Sequence, residues 1–243
     1  MKNFCLQLFS VKNALEEDFD ATLKAVADMG YDGVEFAGKY GGYSGEELKE
    51  RLEYYGLTPV AAHLSLEDFE NNFEYHAEIL KGAGCRTLIC PWIDIETYEE
   101  AEELGKKFEK IAEKCLMNGF EFGFHNHWRE LNKPDGETTL MEVMLEVCDP
   151  LVLCEFDLGW IKVADLDPEY FIRKYAGKIN YLHFKQFDEN HKDTTLEKGI
   201  INYKHIVKLA EKMGCEYFIV EQEGIEGSEL EAAKKNIEFL KSI

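Results

Sequence analysis

Two kinds of hydrophobic pattern alternate along this chain. Short runs that are apolar on both faces read as buried strands, and longer stretches whose apolar residues return at helical spacing read as amphipathic helices. The run at 4–10 leads to a helix over 18–29 with apolar positions at Phe19, Leu23 and Val26 and a stop at Gly30. The run at 33–37 leads to a helix opened by Ser44, with Glu47 completing a capping box, and closed by Gly56. Four further runs follow the same plan: 58–64 before a helix over 66–84, 87–91 before 97–118, 120–125 before 138–148, and 151–157 before 168–175. The last two are 179–185 before a helix over 202–213, and 216–221 before 228–241.

Eight strand–helix units are therefore predicted, starting roughly 26 to 37 residues apart against the ~30 that a strand and its crossover helix require. Eight parallel units close most economically as a barrel, so the expected fold is α/β, a single (β/α)8 TIM barrel over residues 1–243. The rival, an open doubly wound sheet, would want a glycine-rich loop after its first strand, and Leu8-Phe9-Ser10-Val11-Lys12 is not one. The longest irregular pieces, 126–137, 158–167 and 187–201, all follow strand C-termini, where barrel enzymes build their sites.

Four consecutive strands end in reactive side chains. The stretch 120–129 runs from an apolar strand into His125, Asn126, His127, Trp128 and Arg129. Because residues two apart share a face, Glu155 goes with Asp157, His183 with Lys185, and Glu221 with Glu223. His125, Asp157, His183 and Glu221, from the tips of strands five to eight, can converge on one divalent cation, whose charge the two carboxylates would neutralise. This mixed nitrogen and oxygen set suits Mn²⁺, Zn²⁺, Co²⁺ or Fe²⁺ better than Ca²⁺. A keto-sugar or polyol chelating that ion would have its C–H acidified, with Glu221, His125 or His127 as the base and Lys185 beside the developing oxyanion.

Around this set, Gln7, Glu35 and His63 line strands one to three and could bind hydroxyls, while Trp128 and Trp160 could stack on a sugar face. Glu155 lies a layer deeper than Asp157, beside the substrate or behind the ligands. Arg129 could read an anion or merely be solvated; His76, His191 and His205 are expected to be structural or on the surface.

Charge narrows the partners. With 27 basic against 48 acidic residues the net charge is −21, which argues against nucleic acid and anionic membranes. The acidic runs 96–103 and 226–231 read as solvated helix faces. No run has the ~20 apolar residues of a membrane span, and Met1-Lys2-Asn3-Phe4 leads directly into a strand, so a soluble, uncleaved, cytoplasmic protein is expected. Seven cysteines, with no C-x-x-C pair, fit buried reduced thiols. The oligomeric state stays open, a homo-oligomer included.

The segments 31–36, 125–127, 156–160, 182–185, 199–203 and 220–222, which hold the Phe156-Asp157-Leu158-Gly159-Trp160 and Leu182-His183-Phe184-Lys185 motifs, resemble the sugar phosphate isomerase/epimerase superfamily of xylose-isomerase-like barrels over essentially the whole length. The resemblance implies a divalent metal held by a Glu, an Asp, a His and a second Glu from strands five to eight, with the two glutamates moving protons. Asp157, His183 and Glu221 fall on three of those positions, and His125 stands where the first glutamate is usual. Isomerase or epimerase action on a carbohydrate is implied first. The imidazole at strand five favours elimination as the alternative, a lyase or dehydratase on a keto-sugar, keto-glycoside or inosose. A non-catalytic sugar-binding barrel is a third reading; an abasic-site endonuclease of the same superfamily is opposed by the net charge.

Overall fold

A computed structural model describes residues 2–148, 150–225 and 227–243; Glu226, which opens the second acidic run, lies outside them. Eight strands, β1 (Asn3–Gln7), β2 (Gly33–Ala37), β3 (Thr58–His63), β4 (Thr87–Cys90), β5 (Glu121–His125), β6 (Val152–Asp157), β7 (Tyr181–Phe184) and β8 (Tyr217–Val220), each pair in parallel with the next, and β8 returns to β1. The result is a closed barrel ringed by helices, as the repeating pattern predicts.

The helices are α1 (Lys12–Glu17), α2 (Phe19–Met29), α3 (Gly45–Tyr55), α4 (Leu66–Asn71), α5 (Phe73–Ala83), α6 (Tyr98–Met117), α7 (Leu140–Val147), α8 (Leu158–Val163), α9 (Pro168–Lys174), α10 (Tyr203–Lys212) and α11 (Glu229–Lys241). Three of them depart from the sequence reading, each at a polar side chain that makes a local hydrogen bond. Gln7 accepts from the Phe9 amide, so the chain leaves β1 through a 3₁₀ turn (Leu8–Val11) into α1 and does not stay extended to residue 10. Asn72 donates to Asp68 at 3.0 Å and takes φ −128°, splitting the expected helix 66–84 into α4 and α5. Asp157 accepts from the Trp160 amide at 3.0 Å and starts α8 directly off β6.

Strand alternation divides the side chains between two cores. Phe36, Phe122, Phe124, Phe156, Phe184 and Phe218 point outward and are buried under the helices. Cys5, Ala61, Ile89, Tyr181 and Ile219 fill the barrel interior, where Thr87 and Tyr181 share a hydrogen bond of 2.9 Å. Two residues further along the strands the inward positions turn polar: Gln7, Glu35, His63, His125, Glu155, Asp157 and His183. All seven cysteines are buried, and no helix among the described residues is long and apolar enough to cross a membrane.

Helix packing leaves no room at Gly45, the first residue of α3, where a β-carbon would sit 2.5 Å from the Ile79 carbonyl oxygen and 2.7 Å from the Gly82 α-carbon of α5. Both neighbours are backbone. Gly45→Ala is expected to cost about 1–3 kcal/mol through forced separation of the two helices, read as a lower melting temperature in differential scanning calorimetry; an unchanged value would show that α3 can shift freely on α5.

Candidate metal centre

The polar layer is assembled by register. Gln7 lies opposite Glu35, Ala37 opposite His63, His125 opposite Glu155, and Asp157 opposite His183. Parallel strands with these pairings bring side chains distant in sequence to the same level of the barrel. Glu35, His125, Glu155, Asp157 and His183 are fully buried there, and Glu221, one residue past β8, nearly so.

Two overlapping sets could hold a metal ion, with ligand-type atoms within 4.8 Å of one another: His125, Asp157, His183 and Glu221, and, deeper, His63, His125, Glu155 and His183. They share His125 and His183 and differ in hydrogen bonding, although Glu155 Oε1 of the deeper set is also without a partner. In the deeper set His63 Nε2 lies 2.7 Å from Glu155 Oε2, and His183 Nε2 lies 2.7 Å from Glu35 Oε2, which also accepts from Gln7 Nε2 at 2.8 Å. At these distances a proton lies between each pair. In the outer set Asp157 Oδ2 and both ring nitrogens of His125 are buried without a hydrogen-bond partner. Buried lone pairs left unused are uncommon, and a cation would satisfy them, so the outer residues fit a metal ion.

The deeper carboxylates complement that outer set. His183 presents Nε2 to Glu35 and Glu155 and Nδ1 to Glu221, 3.2 Å away. His125 presents Nδ1 to Glu155 at 3.3 Å and Nε2 toward Glu221 at 3.8 Å. A carboxylate behind each imidazole orients the ring and directs the opposite nitrogen to the outer set, where His183 Nδ1 shares a hydrogen bond with Glu221.

Electrostatics follow the same division. Burial, reinforced by His183, holds His125 well below the usual imidazole range, so it is neutral and able to donate a lone pair. Burial also brings His127 down to about 4 and pushes the Asp157 carboxyl up to about 7 against the pull of Lys185. For Glu221 burial is outweighed by the Lys185 ammonium and His183, which keep its carboxylate ionised. For His183 burial is outweighed by Glu155 and Glu35, which raise it. Without a cation, the layer keeps protons on some of its members.

Through His125 and Glu221 the outer set reaches a cleft of about 470 Å³ at the C-terminal mouth, within the range of small-molecule sites, while Asp157 and His183 stay buried behind them. His63, His125, His127 and Glu221 line it together with Phe9, Asp68, Trp92 and Glu223. Of the residues singled out in the sequence, Gln7, Glu35 and Glu155 are buried beneath the cleft. Trp128 and Trp160 lie 4.9 Å apart to one side, lining a neighbouring apolar cleft. Lys185 is buried, 3.1 Å from Glu223. Arg129 is paired with Asp94.

Two residues of this region, Trp92 and Glu130, escaped the sequence reading, and Asn126 and Glu223 carry no role in it. Trp92, half-exposed at the end of β4, meets His127 and Trp128 edge-on; strand four ended in no charged group to draw attention to it. Asn126 clamps β5 to β6, accepting from the Asp157 amide at 3.0 Å. Glu130 is buried and accepts from the His127 amide, fixing the loop after β5. Glu223 shares the inward face with Glu221, which the alternation already signalled.

Comparison with known proteins agrees with this architecture. Residues 23–243 match the family model of xylose isomerase-like TIM barrels, and the chain belongs to that family. An inosose dehydratase of Mesomycoplasma hyopneumoniae is 24% identical over 93% of this chain and 88% of its own length. The crystal structure of a sugar phosphate isomerase/epimerase from Parabacteroides distasonis superposes with a TM-score of 0.85 at 26% identity, covering 100% of this chain and 99% of that one. A probable 3-DHS dehydratase from Bacillus anthracis shares the fold, with a TM-score of 0.77, 17% identity and 99% of each chain covered. The chain thus resembles proteins named as isomerases, epimerases and dehydratases.

Asp157 must lose its proton to ligate a cation, so its titration is expected to raise metal affinity by up to about tenfold per pH unit below about 7 and to level off above it. Isothermal titration of the metal-free protein with Mn²⁺ at several pH values checks this. Asp157→Ala and His183→Ala are expected to abolish binding, and either variant retaining full metal content would remove that residue from the set.

Proposed function

We propose that the protein abstracts a proton next to the carbonyl of a small keto-sugar or keto-polyol, with a divalent ion held by His125, Asp157, His183 and Glu221, and that loss of a β-hydroxyl follows. The observation that carries this reading is the convergence of the unpartnered Asp157 Oδ2 and His125 ring with His183 and Glu221, where His125 and Glu221 reach the wall of an open cleft. The donor set suits Mn²⁺, Zn²⁺, Co²⁺ or Fe²⁺. When bound, such an ion polarises the carbonyl and lowers the cost of negative charge on its oxygen.

The protein's own groups do the rest. His127, neutral through burial and part of the cleft wall, takes the proton from carbon and returns it to the departing hydroxyl, so that water leaves and a double bond forms. Lys185 adds positive charge beside Asp157 and Glu221, offsetting charge that develops on the substrate. Elimination needs one proton carrier, whereas epimerisation needs one on each face of the carbon. An imidazole at position 125, in place of a second glutamate, supports the former. The likeness to inosose dehydratase points the same way. Isomerase or epimerase action is the second reading, favoured by the Parabacteroides neighbour.

Metal-loaded protein incubated with inososes and keto-sugars in D₂O, followed by NMR and mass spectrometry, separates the two. Loss of water is expected; deuterium uptake without loss would establish isomerisation. His127→Ala is expected to lower kcat by about 10²–10⁴ at unchanged metal content, and wild-type kcat in that variant would exclude His127 as the proton carrier.

A further inference from the structure

The charged groups around the cleft are distributed in a way that bears on which substrates can enter. The ionisable side chains on its wall are Asp68, Glu221, Glu223 and three imidazoles, with no lysine or arginine among the described lining residues. The cations nearby are engaged elsewhere. Lys185 Nζ lies 3.1 Å from Glu223 Oε1 and 3.8 Å from Asp193 Oδ1. Arg129 is paired with Asp94 and Lys39 with Glu16, and Lys12 Nζ sits 3.9 Å above the Phe9 ring, facing other clefts.

With a cation at the outer set balanced by Asp157 and Glu221, a phosphate or carboxylate entering here would still meet Asp68 and Glu223 with no free ammonium or guanidinium to receive it, whereas anion sites are built from such donors or from exposed backbone amides. Hydroxyl groups are in the opposite position. They can donate to the carboxylates, and the faces of Phe9 and Trp92 offer apolar contact for ring C–H groups.

We infer that the cleft selects an uncharged polyhydroxylated ligand over its phosphorylated counterpart, and that Glu223 sets this preference by lining the cleft while holding the ammonium of Lys185. The inference rests on the mouth of the barrel being the substrate site, and it narrows the substrate to neutral sugars and polyols. Glu223 acts as a specificity residue, since it lies one inward position beyond Glu221 and outside the candidate ligand set.

The test compares sorbitol with sorbitol 6-phosphate, and myo-inositol with inositol 1-phosphate, by isothermal titration of the full chain with and without Mn²⁺. For the wild type the neutral member of each pair is expected to bind at least about tenfold more tightly, the effect of one unscreened charge at close range. Glu223→Gln is expected to shrink that ratio about tenfold by strengthening the phosphate arm, with circular dichroism verifying the fold.

Equal or tighter binding of the phosphates by the wild type, or no binding of either neutral ligand, overturns the inference. A Glu223→Gln variant with an unchanged ratio, or weakened equally toward both members, overturns the assignment of Glu223. Should Glu223→Gln fail to fold, the wild-type ratio still decides the charge preference, and Glu223→Ser supplies the second comparison. Failure of the metal reading shows separately, as polyol affinities that do not change when Mn²⁺ is added.

Discussion

Glu35 and Glu155 are buried against the imidazoles of His63 and His183, and the site depends on these contacts more than on any others in the barrel. Bringing an ionised carboxylate into a protein interior carries a penalty of several kcal/mol per ion unless close opposite charge and hydrogen bonds offset it. Four strands meet here at 2.7–3.2 Å, β2 with Glu35, β3 with His63, β6 with Glu155 and β7 with His183. The imidazoles offset the burial of Glu155 and hold it low, while burial and the neighbouring Glu155 push Glu35 up to about 7. A one-residue slip of any of these strands would turn its polar side chain into the apolar layer beneath the helices and leave its partners unpaired. The buried network therefore specifies register in a barrel whose inward positions nearer the strand starts, the Thr87–Tyr181 pair aside, are apolar.

That inner network also shapes the outer one. Glu35 and Glu155 occupy Nε2 of His183, so Nδ1 is directed at Glu221, and Glu155 stands behind Nδ1 of His125 while Nε2 looks toward the cleft. Asp157 is fixed from two directions. Its amide donates to Asn126, and one carboxylate oxygen caps α8, which leaves Oδ2 as the atom without a partner. A strand end, a helix cap and an inter-strand clamp thus define the position of a single oxygen.

Much of this was legible in the chain. Period-two alternation assigns Glu155 with Asp157, His183 with Lys185 and Glu221 with Glu223 to inward faces, and eight repeats of strand and helix imply the closure that brings those faces together. What the pattern lacks is depth. It cannot tell that Glu35, beneath the cleft, and His63, on its wall, bond across the barrel axis to β7 and β6, because such distances depend on closure and register jointly. The missed elements have a related cause. Gln7, Asn72 and Asp157 each redirect the backbone through a side-chain bond, and those residue types serve caps, turns and sites alike.

Strand five shows how one substitution of side-chain type propagates. A glutamate at position 125 would place a further negative charge within reach of Glu155 and Glu221, whose carboxylates are already stabilised by His183 and by the ammonium of Lys185. Like charges so close raise one another's pKa and favour protonation of one member. An imidazole avoids that conflict: it is neutral in its buried position, offers a lone pair toward the cleft and turns its other nitrogen to Glu155. With two carboxylates in the outer set instead of three, less negative charge faces a bound cation. On the proposed function, more of that cation's charge would be left for a substrate carbonyl, whose polarisation acidifies the neighbouring C–H.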